Sequence, residues 1–293
     1  MSEPYMSVPQ LSVPQLKAWP APAKINLFLH IVGKRPDGYH NLQTVFQFLD
    51  YGDDLYFKLN TSGDITRSYD LGFSEEVDLC MRAAALLQRY AAPNSGVEIG
   101  ITKRLPMGGG LGGGSSDAAT VLIALNSLWD IGLSRAKLAE IGLSLGADVP
   151  VFVMGSSAWA EGVGDDLTPL ELAEPWFVVL NPQINVSTAH IFTNKHLTAA
   201  PQMKKIRALE KGIDSSFGEN QLEAIVRAEY PQVNSLIEWL SQYGQPRMSG
   251  SGGSVFMPVA DQQYGLEILA KRPSYSVGFV ARGVNKHPLL KIE

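Results

Sequence analysis

Apolar and polar positions alternate with a period of two over 20–31, which predicts a β-strand. Ile25, Leu27, Leu29 and Ile31 fall on one face; Lys24, Asn26, Phe28 and His30 fall on the other. Lys24 reads equally well as a solvated strand residue or as the lining of a pocket. A loop over 33–40 carries the turn signal Pro36, Asp37, Gly38 and ends on Tyr39 and His40. That aromatic and histidine suit packing, and they suit equally the stacking and edge reading of a base. Strands follow over 41–49 and 54–59, then an amphipathic helix over 78–90. A strand over 97–101 leads to a helix over 117–129, and a second helix runs over 134–145 with Ser134 as its N-cap and Gly146 as its stop. Asp148 then precedes a short apolar strand over 149–153. It fits a turn ahead of Pro150, or a carboxylate presented at the end of an element, where phosphoryl-transfer enzymes place a base.

A strand over 176–180, helices over 220–228 and 233–243, a second glycine loop entering a strand over 247–256, a helix over 262–269 and a strand over 275–280 make a split βαβ plan. The stretch 200–218 reads as irregular and mobile. The cleanest boundary lies near residue 165, giving a tail over 1–17, a first domain over 18–165 and a second over 166–293.

One segment has no place in this alternation. Pro106, Met107, Gly108, Gly109, Gly110, Leu111, Gly112, Gly113, Gly114, Ser115 and Ser116 separate the strand at 97–101 from the helix after it. Glycine costs backbone entropy and packs nothing, so a run of it implies close approach to a ligand. A helix N-terminus adds free N–H groups and a positive dipole end, which suit a phosphate. A flexible linker is disfavoured by the apolar elements on both sides. Gly108, Gly110 and Gly113 match the dinucleotide fingerprint as a string, but Lys103, Arg104 and Pro106 intervene after the strand. The acidic residue about twenty positions on is Asp130, which ends a helix. No Gly-Lys-Ser/Thr follows, which excludes a Walker loop.

Composition narrows the class. The chain has 293 residues, is 45% apolar and carries a net charge of −5. That balance speaks against a nucleic-acid partner, which needs a basic face. No apolar run reaches the length of a membrane span. The single cysteine, Cys80, reads as a small core residue and suits a reducing compartment, so a cytoplasmic location is expected. The amino terminus repeats Ser-Val-Pro-Gln-Leu at 7–11 and 12–16 without the pattern of a signal or transit peptide; it reads as an extended tail.

Three stretches ask for a joint explanation: Pro-Ala-Lys-Ile-Asn-Leu at 22–27, the glycine loop at 106–119, and Ser-Gly-Ser-Gly-Gly at 249–253. In order and type they resemble the GHMP kinase superfamily, over residues 22 to about 283. Arg-Pro-Asp-Gly-Tyr-His-Asn-Leu at 35–42, Leu-Gly-Ala-Asp-Val-Pro-Val-Phe at 145–152 and Glu-Gly-Val-Gly at 161–164 extend the likeness. The resemblance implies a two-domain α+β fold. Its N-terminal domain is like the second domain of ribosomal protein S5, its C-terminal domain is ferredoxin-like, and the active site lies in the cleft between them. It implies ATP, bound with Mg²⁺, held by the loop from Pro106 to Ser116. It further implies, as the other substrate, a cytidine diphosphate ester of methylerythritol, phosphorylated on its 2-hydroxyl. Carried-over roles make Asp148 the base and Lys24 its charged partner. Tyr39 and Phe192 would sandwich the cytosine, His40 would read its edge, and Asn26 and Lys103 would meet polar parts of the substrate. The metal ligands are not specified. The expected partners are small molecules, with no nucleic acid or membrane, and the expected assembly is a monomer or weak homodimer. Alternatives are a mevalonate- or homoserine-type kinase, or a non-catalytic nucleotide- or RNA-binding module. Asp117 stands where many members of the superfamily carry alanine, and it is expected in the first helical turn, pointing away from the ligand.

Overall fold

The computed structural model describes residues 16–197 and 219–291. The expected irregular stretch over 200–218 and nearly all of the amino-terminal tail lie outside the described residues. The chain begins with a long antiparallel pair, β1 (Trp19–Lys34) and β2 (His40–Asn60). The short strand β3 (Ile65–Arg67) runs parallel to β4 (Gly96–Thr102), and β4 pairs with the far end of β2. Helix α1 (Leu79–Gln88) starts at Asp78, whose carboxylate accepts from the Cys80 N–H. Helices α2 (Gly113–Leu128), α3 (Arg135–Leu143) and α4 (Val149–Met154) follow, then the hairpin β5 (Ala158–Glu161) and β6 (Asp166–Pro169).

The second half contributes β7 (Trp176–Asn181), α5 (Thr188–Phe192), α6 (Glu223–Glu229), α7 (Pro231–Leu240), β8 (Arg247–Met248), β9 (Val255–Val259), α8 (Gln262–Ala270) and β10 (Val277–Val284). One ten-stranded sheet runs in the order β3-β4-β2-β10-β7-β9-β8, with β1 and β5 also on β2. Strand β10 joins the halves, pairing with β7 over six residues and with β2 at Leu49 and Phe48.

Three expectations change. The two strands predicted over 41–49 and 54–59 are one strand, because Gly52 pairs with Pro22 of β1 and stays extended in the sheet. A Cβ there would stand 2.1 Å from the Ala21 carbonyl oxygen. The alternation predicted for β1 is broken by bulges at Pro22/Lys24, Asn26/Leu29 and Ile31/Gly33. Phe28 therefore packs with Ile25 and Leu27, while Leu29 and Ile31 belong to the core of the second half. Both faces of β1 are buried. The apolar run after Asp148 is a helix, not a strand. Pro150 lies in its first turn, where its fixed φ fits and its missing N–H costs nothing. Gly155, at φ 73°, closes it.

Helix α2 is apolar nearly all round, and every residue from Ser116 to Asn126 is buried. It is the central helix of the first half, packed on α1, α4 and β1. Its amino end therefore opens from the core toward the seam between the halves.

Candidate active site

A cleft of about 580 Å³ lies at that seam. Its walls include Lys24 and Asn26 of β1, Thr44 and Phe46 of β2, the loop from Pro106 to Ser115, and Asp148. The second half adds Thr188, Phe192, Gly250 and Ser251.

The bulge between Pro22 and Lys24 turns the lysine inward, and Lys24 is only 2% exposed. A solvated Lys24 is thereby excluded. Its Nζ stands 3.1 Å from Asp148 Oδ2 and donates to Asn26 Oδ1 at 2.6 Å. The Thr44 hydroxyl donates to the Phe28 carbonyl and accepts from Asn26 Nδ2 at 2.9 Å. That chain fixes the Asn26 amide, so its oxygen must face Lys24. Asp148 occupies the N-cap position of α4 but caps nothing with its side chain, which leaves its carboxylate to Lys24. Its side chain remains one-third exposed to the cleft.

The glycine loop is held by backbone. Gly108, Gly110 and Gly112 adopt φ of 66°, 73° and 71°, the left-handed region. A Cβ on Gly110 would stand 2.1 Å from the Ser249 carbonyl oxygen, and one on Gly112 would meet the Phe152 ring at 2.9 Å. The Ser249 hydroxyl donates to the Gly110 carbonyl at 2.9 Å, and the Ser254 N–H donates to the Gly109 carbonyl at 2.9 Å. The two glycine loops therefore interlock, so several glycines answer to packing as well as to a ligand. Helix α2 begins at Gly113, earlier than predicted, with Gly112 at its N-cap. Ser115 and Ser116 lie inside the helix and do not cap it. The Ser116 N–H is already bonded to the Gly112 carbonyl, while the N–H groups before it head the helix without intrahelical partners. The arrangement can bind an anion.

Lys103 donates to Asp53 Oδ2 and Asp117 Oδ2, both at 2.6 Å. Burial alone would lower its ammonium, but the Asp117 and Asp53 carboxylates reverse this and push it above the ordinary lysine value. The same ammonium stands 3.3 Å from where a Cβ on Gly113 would lie, which places it beside the glycine loop. Asp117 sits in the second turn of α2, not the first, and is 3% exposed.

The β1–β2 turn carries Tyr39, 65% exposed, and β2 starts at His40. The His40 ring lies 5.8 Å from that of Phe192, tilted by 38°. Burial and the Lys34 cation hold the His40 imidazole below its ordinary value. Phe192 lines the cleft; Tyr39 and His40 stand outside its lining.

Nothing in the local sequence marks Thr44 and Thr188, whereas Ser251 belongs to the second glycine loop at 249–253. The local sequence also leaves unmarked an apolar lobe of the cleft made by Tyr69, Leu71, Phe73, Val77 and Leu79. Asp78 braces that lobe by accepting from Tyr69 Oη at 2.9 Å and Arg67 Nη1 at 2.8 Å. The only signal was Tyr69 and Phe73 in an otherwise unassigned stretch.

Residues 78–156 match the family described as GHMP kinases N terminal domain, and residues 199–275 match GHMP kinases C terminal. The chain belongs to the GHMP kinases. Within them it falls in the family of 4-diphosphocytidyl-2-C-methyl-D-erythritol kinases. The relative of that name from Thiobacillus denitrificans is 51% identical over 274 residues, 93% of this chain and 97% of that one. The one from Nitrosococcus oceani is 52% identical over 273 residues, 93% and 96% of the two chains. A crystal structure of 4-(cytidine 5'-diphospho)-2C-methyl-D-erythritol kinase superposes with a TM-score of 0.78 at 31% identity, covering 91% of this chain and 99% of the other. The chain is thus an ATP-dependent small-molecule kinase with the two-domain α+β GHMP fold. This membership displaces the mevalonate-type, homoserine-type and non-catalytic alternatives. Among the described residues, no helix is long and apolar enough to cross a membrane.

Proposed function

We propose that this kinase transfers the γ-phosphoryl group of ATP to the 2-hydroxyl of 4-diphosphocytidyl-2-C-methyl-D-erythritol. The products are the 2-phosphate and ADP, and the step belongs to the non-mevalonate route to isopentenyl diphosphate. The observation that carries the reading is the Lys24–Asp148 pair, 3.1 Å apart in the same cleft as the amino end of α2. Phosphoryl transfer asks the protein chiefly for positioning and charge stabilisation. The loop from Pro106 to Ser116 holds the ATP phosphates through backbone N–H groups. Asp148 accepts the proton of the attacking hydroxyl. Lys24 pairs with that carboxylate at 3.1 Å and orients it toward the acceptor. Of its three N–H groups, Asp148 and Asn26 engage two, which leaves one for the transferred phosphoryl oxygens. The fixed amide of Asn26 holds the lysine in place and borders the acceptor.

Tyr39 and Phe192 are assigned to the two faces of the cytosine and His40 to its edge. The 5.8 Å approach of His40 to Phe192 supports a common base site at the rim of the cleft. The apolar lobe around Tyr69 and Phe73 suits the adenine ring, and Lys103, expected among substrate contacts, is better placed for the ATP phosphates. Mg²⁺ is proposed to accompany ATP and to neutralise its phosphate charge. The donor set fits: Ser115 and Ser116 bring hydroxyls to the first turn of α2, and Ser116 Oγ is buried with no hydrogen-bond partner among the described residues.

The test is ADP release with the cytidine diphosphate ester, mevalonate and homoserine offered in turn. Turnover with the first alone is expected; comparable turnover with either of the others would sink the assignment.

A further inference from the structure

Phe192 sits on α5, a helix of five residues, too short to hold its own shape in water. Of the five, Ile191 is the one that is buried, anchored in the core of the second half. A single anchor leaves so short a helix free to turn about its axis. At about 100° per residue, Thr188 and Phe192 share one face of α5. His190 and Asn194, the latter just past the helix end, share the opposite one. The cavities agree: Thr188 and Phe192 line the cleft, while Asn194 lines a separate cavity of about 670 Å³. Each face is tied down. On the cleft side the Thr188 and Ser251 hydroxyls bond to each other at 2.6 Å. On the far side one carboxylate takes both donors. Glu229 Oε2 accepts from His190 Nε2 at 2.8 Å, and Oε1 accepts from Asn194 Nδ2 at 2.5 Å. Glu229 is the last residue of α6, where the helix dipole disfavours a carboxylate, so the helix itself gives no reason for it. Helix α6 is in turn fixed to the start of the second glycine loop. Asn220 Nδ2 donates to the Met248 and Gly250 carbonyls at 2.9 and 2.8 Å, and Glu223 Oε2 accepts from the Met248 N–H at 3.0 Å. Ile225 and Val226 bury the inner face of α6. A path of hydrogen bonds thus runs from the interlocked glycine loops through α6 to the back of the helix that carries Phe192.

We propose that Glu229 is a positioning residue for the cytidine ester: by holding His190 and Asn194 it sets the turn of α5, and with it the distance of Phe192 from the phosphate site. The inference rests on the reading of Tyr39 and Phe192 as the two faces of the cytosine site. The base and the reacting hydroxyl lie at opposite ends of that substrate, joined by ribose and diphosphate. Both ends bind at once only when the two sites stand at the matching separation. Stacking on the base is made equally in the ground state and the transition state, so a misplaced Phe192 raises KM for the ester and leaves kcat alone.

The experiment is steady-state kinetics of the full chain, with the cytidine ester and ATP varied in turn, on Glu229→Ala, Phe192→Ala and the double variant. Exposed pairs contribute little to stability, so the melting temperature of Glu229→Ala should stay close to that of wild type. Its KM for the ester should rise by about three- to tenfold, a part of the roughly 10- to 100-fold that a whole stacking face is worth. Its kcat and its KM for ATP should stay as they are. In the Phe192→Ala background the same change should add less than about twofold, because the two residues act through one contact. Glu229→Gln should restore the KM of wild type: its amide accepts from Asn194 and, with the other imidazole tautomer, donates to His190. An unchanged KM in Glu229→Ala, an equal rise in both backgrounds, a matching rise for ATP or no recovery in Glu229→Gln overturns the proposal. Should Glu229→Ala fail to fold, His190→Ala and Asn194→Ala, which cut the same two bonds from the side of α5, are read in its place. If Phe192→Ala alone leaves the KM for the ester unchanged, the base-site reading fails instead.

Discussion

Lys24 and Asp148 are ordinary residues made unusual by their neighbours. A buried lysine is costly unless paired, and the pair is completed by Asn26, whose own orientation depends on Thr44. Replacing Asp148 with Asn removes the proton acceptor while preserving shape. Turnover should fall by at least about 10²-fold. Binding of ATP, measured by calorimetry, should persist; near-normal turnover would remove Asp148 from the chemistry. Tyr39 offers a different check. It is exposed, so Tyr39→Ala should leave folding alone. Loss of one stacking face should weaken binding of the cytidine ester by about 10- to 100-fold, the equivalent of roughly 1–3 kcal/mol. Affinity for ATP should stay as it was, and a matching loss for both ligands would contradict the assignment. His40 and Phe192 were legible only as residue types; their 5.8 Å approach brings together β2 and α5, which lie far apart along the chain.

Elements form where local pattern and packing agree, and they shift where the two compete. The period-two pattern of β1 was legible, but its bulges were not, because a bulge answers to the partner strand and not to its own sequence. Gly52 reads locally as a break, yet its pairing with Pro22 of β1 carries the strand through it to the β4 ladder that begins at Asp54. In α4 the run Val149, Pro150, Val151, Phe152 and Val153 has strand composition, and Pro150 at the helix start decides otherwise. The glycine loop gives a direct contrast. Gly110→Ala places a Cβ 2.1 Å from the Ser249 carbonyl oxygen at φ 73°. It should destabilise the fold by more than about 1–3 kcal/mol and lower the melting temperature. Gly114→Ala meets only Leu79 Cδ1, at 3.6 Å, in an ordinary helical position. Its melting temperature should hold or rise, by the equivalent of up to about 1 kcal/mol. Equal losses in the two variants would mean that the loops do not interlock as described.

One sheet carries both halves, and the end of the chain returns to the first. His287 lies buried there, its ring edge-on to Phe48 at 5.8 Å, with Nδ1 accepting from the Leu289 N–H at 3.0 Å. Burial, aided by the Arg135 cation, lowers its imidazole to about 3. Below its unfolded value near 6.5 the unfolded chain takes up a proton that the folded chain refuses, so this contribution to stability is lost as pH falls. At pH 5 the loss is about 2 kcal/mol. Asp117 acts oppositely. Burial raises its carboxyl above the ordinary aspartate range, so folding retains a proton and its contribution fades as pH climbs. The two slopes overlap in wild type and separate in variants. Relative to wild type, His287→Gln should become more stable between pH 7 and pH 5, read by chemical denaturation; a constant difference would refute the burial argument. The periodicities and the glycine run were legible in the chain, because solvent exclusion and helix-terminus chemistry act over a few residues, whereas the local sequence left Lys24 and Asp148 each between two readings. The 3.1 Å between Lys24 and Asp148, the interlocked glycine loops and the shared acids on Lys103 were decided by packing alone. Each joins groups remote along the chain, and a distance between such groups is a property of bulges, crossovers and buried contacts that no local pattern encodes.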